Sequence, residues 1–253
     1  MQPGQIDDTY AKGMAHWSET EDATPALSQW QYSLFRPYLG SKLLEIGAGI
    51  GRITRVVAAA RAHEELVATE PSPNFFGALR DRVQGVPKSI ALQATAEALV
   101  PDYREHFDSV YSVHVMEHIE HDRPFLESML DLTRPGGNVI ILVPALPFLY
   151  SDLDVNIGHY RRYNKKMMRA LIQGLPVDVR HLAYNNLLGV LGSFYFSKIR
   201  KVNYQKDEAS KQQFMGVYRF FSEYVVPGIQ LFERFVPVPV GLNLTLVLTK
   251  RSA

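Results

Sequence analysis

The chain has 253 residues, 46% of them hydrophobic and 21% charged, and it contains no cysteine. That composition is globular and supports a sizeable core, and it excludes disulfide frameworks, thiolate metal sites and cysteine nucleophiles. Net charge is +1, yet residues 1–150 hold 12 Lys/Arg against 19 Asp/Glu and residues 151–253 hold 15 against 7, so the basic half suits an anionic metabolite, an acidic carrier, a lipid surface or nucleic acid, among which charge alone does not choose.

The N-terminal stretch has no basic start followed by an apolar core, which predicts no secretory signal and a cytoplasmic chain. The longest apolar runs fall short of the roughly 18–20 residues a spanning helix needs. Residues 6–39 read as one or two amphipathic helices carrying Tyr10, Trp17, Trp30, Tyr32 and Phe35. From Lys42 onward, strand-like runs alternate with helical ones. The strands are Lys42–Ile46, Glu65–Glu70, Ser89–Gln93, Phe107–Val113 and Asn138–Val143; the helices between them are Ile50–Ala60, Asn74–Gln84, Ala96–Arg104 and Arg123–Leu132. This alternation predicts a doubly wound α/β fold, a parallel sheet with helices on both faces.

Beyond the fifth strand the pattern gives a loop, Pro144–Tyr163, a helix near Lys165–Gly174 and a strand near Val177–Leu182. The last strand is Leu242–Lys250, where every second residue from Leu242 to Leu248 is leucine. Between these two strands lies an aromatic-rich insertion: a helix over Leu187–Arg200 ending in a basic cluster, a polar, mobile Asn203–Gln213, and a helix over Phe214–Phe235 broken at Pro227. The predicted units are a helical cover at 1–39, a core at 40–186 and 241–253, and a helical insertion at 187–240 that serves as lid or dimer face.

Chemistry concentrates at Leu43-Leu44-Glu45-Ile46-Gly47-Ala48-Gly49-Ile50-Gly51-Arg52. A buried strand ends in three alternating glycines before a helix opens, which lets ligand backbone approach closely. Arg52 stands where a dinucleotide site wants its third glycine, and no Gly-Lys-Ser/Thr follows. Glu45 would repel a pyrophosphate and favour a cationic ligand. S-adenosylmethionine, with ammonium and sulfonium charges and no phosphate, has the right sign. Glu70, at the end of the second strand and followed by Pro71, is placed to accept both hydroxyls of a ribose.

These segments together resemble the class I S-adenosylmethionine-dependent methyltransferases. Leu43–Thr54 is similar to the first motif of that family, Glu70 to its ribose-binding acid, Thr95-Ala96-Glu97 to its adenine-edge segment, and Phe107–Ile119 to its fourth-strand motif. The resemblance implies a Rossmann-like seven-stranded sheet of order 3-2-1-4-5-7-6 with the last strand antiparallel. It also implies a cofactor site formed by Glu45, Gly47, Ala48, Gly49, Gly51, Glu70, Pro71, Thr95, Ala96, Glu97, Ser112 and Val113. Thr95 replaces the aspartate common in the adenine segment, which shifts the amino contact to Glu97 or to backbone. Gly158-His159-Tyr160-Arg161-Arg162-Tyr163 resembles a bacterial subgroup with an aromatic insertion before its last strand.

The implied reaction is methyl transfer to an oxygen or nitrogen of a hydrophobic, anionic or carrier-linked small molecule. A peptide or protein acceptor and a non-catalytic, membrane-associated adenosyl-binding module are the alternatives; nucleic acid ranks below them because no basic-aromatic binding motif is present. Peripheral membrane contact and a homodimer stay open. Removal of an acceptor proton near neutral pH calls for an imidazole, and His114 and His159 are the catalytic candidates. The resemblance suggests that the pair Glu117–His118 shapes its loop. Asp152 and Asp154 lack a third convergent ligand, read as turn residues, and predict no metal.

Overall fold

The computed structural model describes residues 24–199, 216–233 and 236–252. Seven strands form one sheet in the order β3-β2-β1-β4-β5-β7-β6. They are β1 (Lys42–Ile46), β2 (Glu65–Thr69), β3 (Ser89–Leu92), β4 (Phe107–Val113), β5 (Thr133–Pro144), β6 (Val177–Asn185) and β7 (Asn243–Lys250). The first five run parallel and β7 pairs antiparallel with both β5 and β6. This is the Rossmann-like methyltransferase fold that the resemblance implied.

Helices α1 (Pro25–Phe35), α2 (Arg52–Ala60), α3 (Pro73–Val83), α4 (Ala96–Tyr103) and α5 (Asp122–Leu132) flank the sheet. Burial on both faces explains why β5 reads as a continuous apolar run from Val139 to Val143; β7 alternates, yet its Thr245 and Val247 are as buried as the leucines around them. One face packs Leu44, Val110, Val139 and Ile141 against Leu126 and Met129 of α5. The other packs Leu43, Tyr111 and Ile140 against Phe35 of α1 and Val57 of α2.

The register sets the functional edge. Leu44 lies beside Val110 and Val110 beside Val139, so β4 ends one residue and β5 three residues past the end of β1, all at the same edge of the sheet. Their C-terminal loops therefore converge on one crevice, where ligands of open α/β sheets bind. The N-terminal helix is held over this edge by Arg52, whose guanidinium donates to Ser28 Oγ at 2.8 Å and Gln31 Oε1 at 2.9 Å. The residue in place of a third glycine thus anchors a cover.

Two sequence expectations are corrected here. Pro144–Tyr163 is not an open loop: Pro147–Leu149 forms a 3-10 turn and Asp152–Asn156 a short helix, α6, begun by a Ser151–Asp154 capping box. The second insertion helix does not break at Pro227. Residues 216–220 are helical, Phe221–Val225 widen into a π turn, and α9 (Val226–Glu233) continues directly. The wider turn before the proline accommodates its missing N–H and ring, so the axis carries on.

The remaining helices are α7 (Lys165–Leu171) and α8 (Leu187–Phe194), the latter passing into a π turn at Tyr195–Ile199. Glu233 closes the insertion by accepting the backbone N–H groups of Asn186 at 2.9 Å and Leu187 at 2.8 Å. Val226 packs on Leu27 and Trp30, so insertion and N-terminal helix meet. Among the described residues no helix is long and apolar enough to cross a membrane. Tyr10, Trp17, the segment Asn203–Gln213 and most of the basic cluster after Lys198 lie outside the described residues.

Candidate active site

A cavity of about 1250 Å³ runs along the C-terminal edge of the sheet. Cofactor pockets and drug-sized sites occupy roughly 300–1,000 Å³, so this one has room for a cofactor and a second molecule. Its first end is built by the β1–α2 turn. Gly47 and Gly49 have φ of +69° and +58°, a region that L side chains enter at a cost. A Cβ on Gly47 would collide with Val115, whereas one on Gly49 would meet nothing within 4 Å. Gly47 therefore serves close packing of β1 on the β4 loop, and Gly49 keeps the cavity floor bare.

Glu70 stands across from this turn. Its Oε2 accepts the Gly49 N–H at 2.8 Å and its Oε1 the Ser72 N–H at 2.9 Å. Burial pushes its carboxyl above the ordinary range, and the two N–H groups work the other way. Glu45 is 2% exposed, and its Oε2 accepts from Thr54 Oγ1 at 2.7 Å and from the Tyr111 hydroxyl at 3.1 Å. Burial raises its pKa to about 7, against the pull of those two hydrogen bonds and of Arg52.

At the far end β4 runs out into His114, whose φ is +56°. Its N–H still donates to Leu142 O at 2.8 Å, so the ladder continues one residue past the strand before the chain turns away. A non-glycine residue in this conformation costs of order 1 kcal/mol, and such strain gathers where a side chain must face a ligand. A 3-10 turn follows at Met116–His118, and the segment Gly158–Tyr163 folds onto it. Tyr160 N–H donates to Glu117 O at 2.8 Å, the Tyr163 hydroxyl to Met116 O at 3.2 Å, and Arg161 to Glu120 O at 2.7 Å.

This clasp gathers a buried cluster of acids and histidines. Glu117 is 0% exposed; His114 Nδ1 stands 3.3 Å and His159 Nε2 3.8 Å from its Oε1. Burial disfavours ionisation of Glu117, yet the surrounding histidines outweigh it and hold the carboxyl below the usual range. His159 Nδ1 lies 2.8 Å from Asp154 Oδ1, which also accepts from Arg162 Nε at 2.7 Å. Burial opposes the charge on Asp154 as well, but those partners keep it low. His118 meets His159 edge to face at 4.6 Å, and burial drives its pKa down to about 4.

Comparison with known proteins agrees with this geometry. Residues 44–139 match the family model described as a methyltransferase domain. A ubiquinone biosynthesis O-methyltransferase of Rhizobium etli is 27% identical over 106 residues, 42% of each chain. A ubiquinone/menaquinone biosynthesis C-methyltransferase of Ectopseudomonas mendocina is 32% identical over 123 residues, 46% of this chain and 47% of that one. The chain thus spans less than half the length of these curated relatives. Among solved structures, the Haloferax volcanii complex of the Trm112 methyltransferase activator with a methyltransferase contains a similar fold, with TM-score 0.66, 14% identity, and 98% and 99% of the two chains covered.

Residues 44–139 are thus similar to a methyltransferase domain. The first end of the cavity fits S-adenosylmethionine. Gly49 offers bare backbone, three carboxylates (Glu45, Glu70 and Glu97) line the space, and this sign suits a sulfonium and an ammonium group rather than a phosphate.

Of the residues anticipated from sequence, Glu45, Gly47, Ala48, Gly49, Glu70, Pro71, Thr95, Ala96, Glu97 and Val113 line the cavity, as do His114 and His159. Gly51 and Ser112 do not. Gly51 is the N-cap of α2 with φ +84°, and Ser112 turns its hydroxyl toward Met129 Sδ at 4.0 Å, on the α5 side of the sheet. The Thr95 hydroxyl is spent on the Ala98 N–H as the cap of α4, which leaves Glu97 and backbone at the cavity. Glu45 differs from expectation too: with a pKa about 7 and two hydroxyl partners, it is a conditional charge rather than a standing one.

Two further residues, Glu117 and Asp154, stand at the centre of the acid and histidine cluster, where the sequence reads only a loop-shaping pair and a turn. Asp154, taken for a turn residue, is 0% exposed and orients His159. Glu117 is the centre that His114 and His159 share. The capping pattern Ser151-x-x-Asp154 was a usable signal for the helix, but nothing local ties Asp154 to residue 117.

Proposed function

We propose that the whole chain catalyses S-adenosylmethionine-dependent methyl transfer to an oxygen or nitrogen of a hydrophobic small molecule, anionic or carrier-linked. The observation that carries this reading is the single cavity joining the glycine turn to the His114–Glu117–His159 cluster, with Phe196, Tyr218 and Phe221 of the insertion lining its far side. Those rings supply apolar area for an acceptor, and the insertion 187–240 acts as its cover. The O- and C-methyltransferases of quinone biosynthesis among the relatives support a small acceptor over a peptide. The Gly158–Tyr163 segment and the aromatic insertion support membership of the bacterial subgroup they resemble.

When bound, the cofactor supplies a methyl carbon on a positively charged sulfur. The chain's task is then alignment of an acceptor with that carbon and removal of the acceptor's proton. His114 takes the proton: it lines the cavity at the end of β4 and its backbone is strained to hold it there. His159 is held by Asp154 and steadies the acceptor end.

Single-turnover methyl transfer measured across pH for His114→Ala tests the assignment, with quinol-like phenols as the first acceptors. The expected loss is about 10²–10⁴-fold with S-adenosylhomocysteine affinity unchanged. A variant that keeps the wild-type rate and pH profile removes His114 as the base and leaves catalysis by positioning.

A further inference from the structure

The acceptor end of the cavity contains a carboxylate whose environment the methyl-transfer reading does not explain. Glu117 is fully buried, no hydroxyl or backbone N–H donates to its carboxylate, and the nearest groups are imidazoles, with His114 Nδ1 at 3.3 Å and His159 Nε2 at 3.8 Å from Oε1. A buried carboxylate left so costs several kcal/mol unless a cation answers it. One ligand atom each from Glu117, His118 and His159 lies within 4.8 Å of the other two. Bonds of about 2.0–2.2 Å to a common ion require separations of roughly 3–4 Å, which rotamer adjustments supply.

Both histidines are oriented as metal-ligating histidines are. A ligating imidazole donates its other N–H to a carboxylate or a backbone carbonyl, which sets the tautomer and aims the ring. His159 Nδ1 faces Asp154 Oδ1 at 2.8 Å, and His118 Nδ1 faces Gly158 O at 3.2 Å. The lone pair of each ring then belongs to Nε2, and His159 Nε2 is the atom turned toward Glu117 Oε1. Asp154 is itself anchored by Arg162 and by the Ser151 N–H. An orienting carboxylate, an imidazole and a second carboxylate in line form the supporting shell of a metal site.

We propose that Glu117, His118 and His159 bind a divalent first-row cation, with Asp154 as the positioning residue. Two imidazoles and one carboxylate suit zinc, iron or manganese, and three protein ligands leave positions for water or an oxygen of a second molecule. Its use, holding the acceptor's oxygen beside His114, rests on the methyl-transfer reading; the binding itself does not.

The test uses the full, untagged chain, treated with chelator and titrated with Co²⁺. We expect one equivalent bound, with the visible absorption of an ion held by imidazole and carboxylate, displaced by Zn²⁺. The chain has no cysteine, so thiolate charge-transfer bands are absent. Glu117→Gln and His159→Asn should abolish the bands, and Asp154→Asn should weaken binding about 10–100-fold. A wild-type chain that shows only the aqueous ion's spectrum overturns the proposal, and that measurement needs no variant to fold. So does binding that survives both ligand substitutions in variants that still bind S-adenosylhomocysteine. Calorimetry of S-adenosylhomocysteine on the wild type separates the two readings: its failure beside intact Co²⁺ binding refutes methyl transfer and supports the metal site.

Discussion

Gly47 and Gly49 share a left-handed backbone, yet the two positions have different work. Ala at Gly47 forces Cβ against Val115 and strains the packing of β1 on β4. Ala at Gly49 enters space where no atom of the chain lies within 4 Å, so a ligand bound on the turn is what it would meet. Gly49→Ala should therefore cost about 1–2 kcal/mol of stability for the left-handed backbone while lowering S-adenosylhomocysteine affinity far more than that strain accounts for, read by calorimetry beside thermal unfolding. Unchanged affinity would remove the turn from the cofactor site. Glu45 gives a second prediction at this scale. Its pKa rises from 4.5 to about 7 on folding, so between those values the folded chain holds a proton that the unfolded chain has lost. Stability contributed by this group is present at low pH and falls as pH rises through that window, by about 3 kcal/mol in all. Denaturant unfolding of wild type and Glu45→Gln at pH 5 and pH 8 should show the wild type losing more; equal losses would mean that Glu45 is ionised throughout.

At the level of elements, the insertion is tied down at its two ends by one carboxylate. Glu233, near the end of α9, accepts the first N–H groups of α8, where an anion also complements the helix dipole. Glu233→Ala should cost about 1–2 kcal/mol locally, seen as faster hydrogen exchange at Asn186 and Leu187 with β1 to β5 unaffected. Exchange that rises equally across the sheet would show that insertion and core unfold as one unit. The segment Gly158–Tyr163 works the same way on the other side, clasping the Met116–His118 turn through backbone N–H and carbonyl groups. Both ties use backbone polar groups that burial would otherwise leave unsatisfied.

For the whole molecule, β5 is the strand on which the two halves of the sheet depend. It pairs parallel with β4 and antiparallel with β7, and Ile141 at its centre is fully buried between Ser112 and Leu246. Ile141→Ala should cost about 2–5 kcal/mol, and at roughly 2–4 °C per kcal/mol for a chain of this size lower Tm by several degrees. A change below 1 °C would mean that the site repacks without a cavity. Because the loops after β1, β4 and β5 share one cavity, such a loss should also weaken cofactor binding, and saturating S-adenosylhomocysteine should restore part of the Tm.

The strands, their flanking helices and the glycine turn were legible in the amino-acid order because each depends on local physics. Apolar periodicity marks Lys42–Ile46 and Phe107–Val113 at their observed boundaries, and alternating glycines mark a backbone that only glycine adopts freely. The residues lining the glycine-turn end of the cavity were therefore readable almost one by one. What local pattern could not decide is which face a side chain turns to once strands are paired, and Ser112 turned toward Met129 rather than into the cavity. Nor could it decide that Glu45 would be consumed by Thr54 and Tyr111. The acceptor end was decided by tertiary structure alone. Glu117 and His118 stand on the turn after β4, Asp154 on α6 and His159 just beyond it, about forty residues away, and they meet only because the sheet brings both segments to the same edge. Burial then sets their charges, for desolvation belongs to the folded molecule and is absent from the sequence.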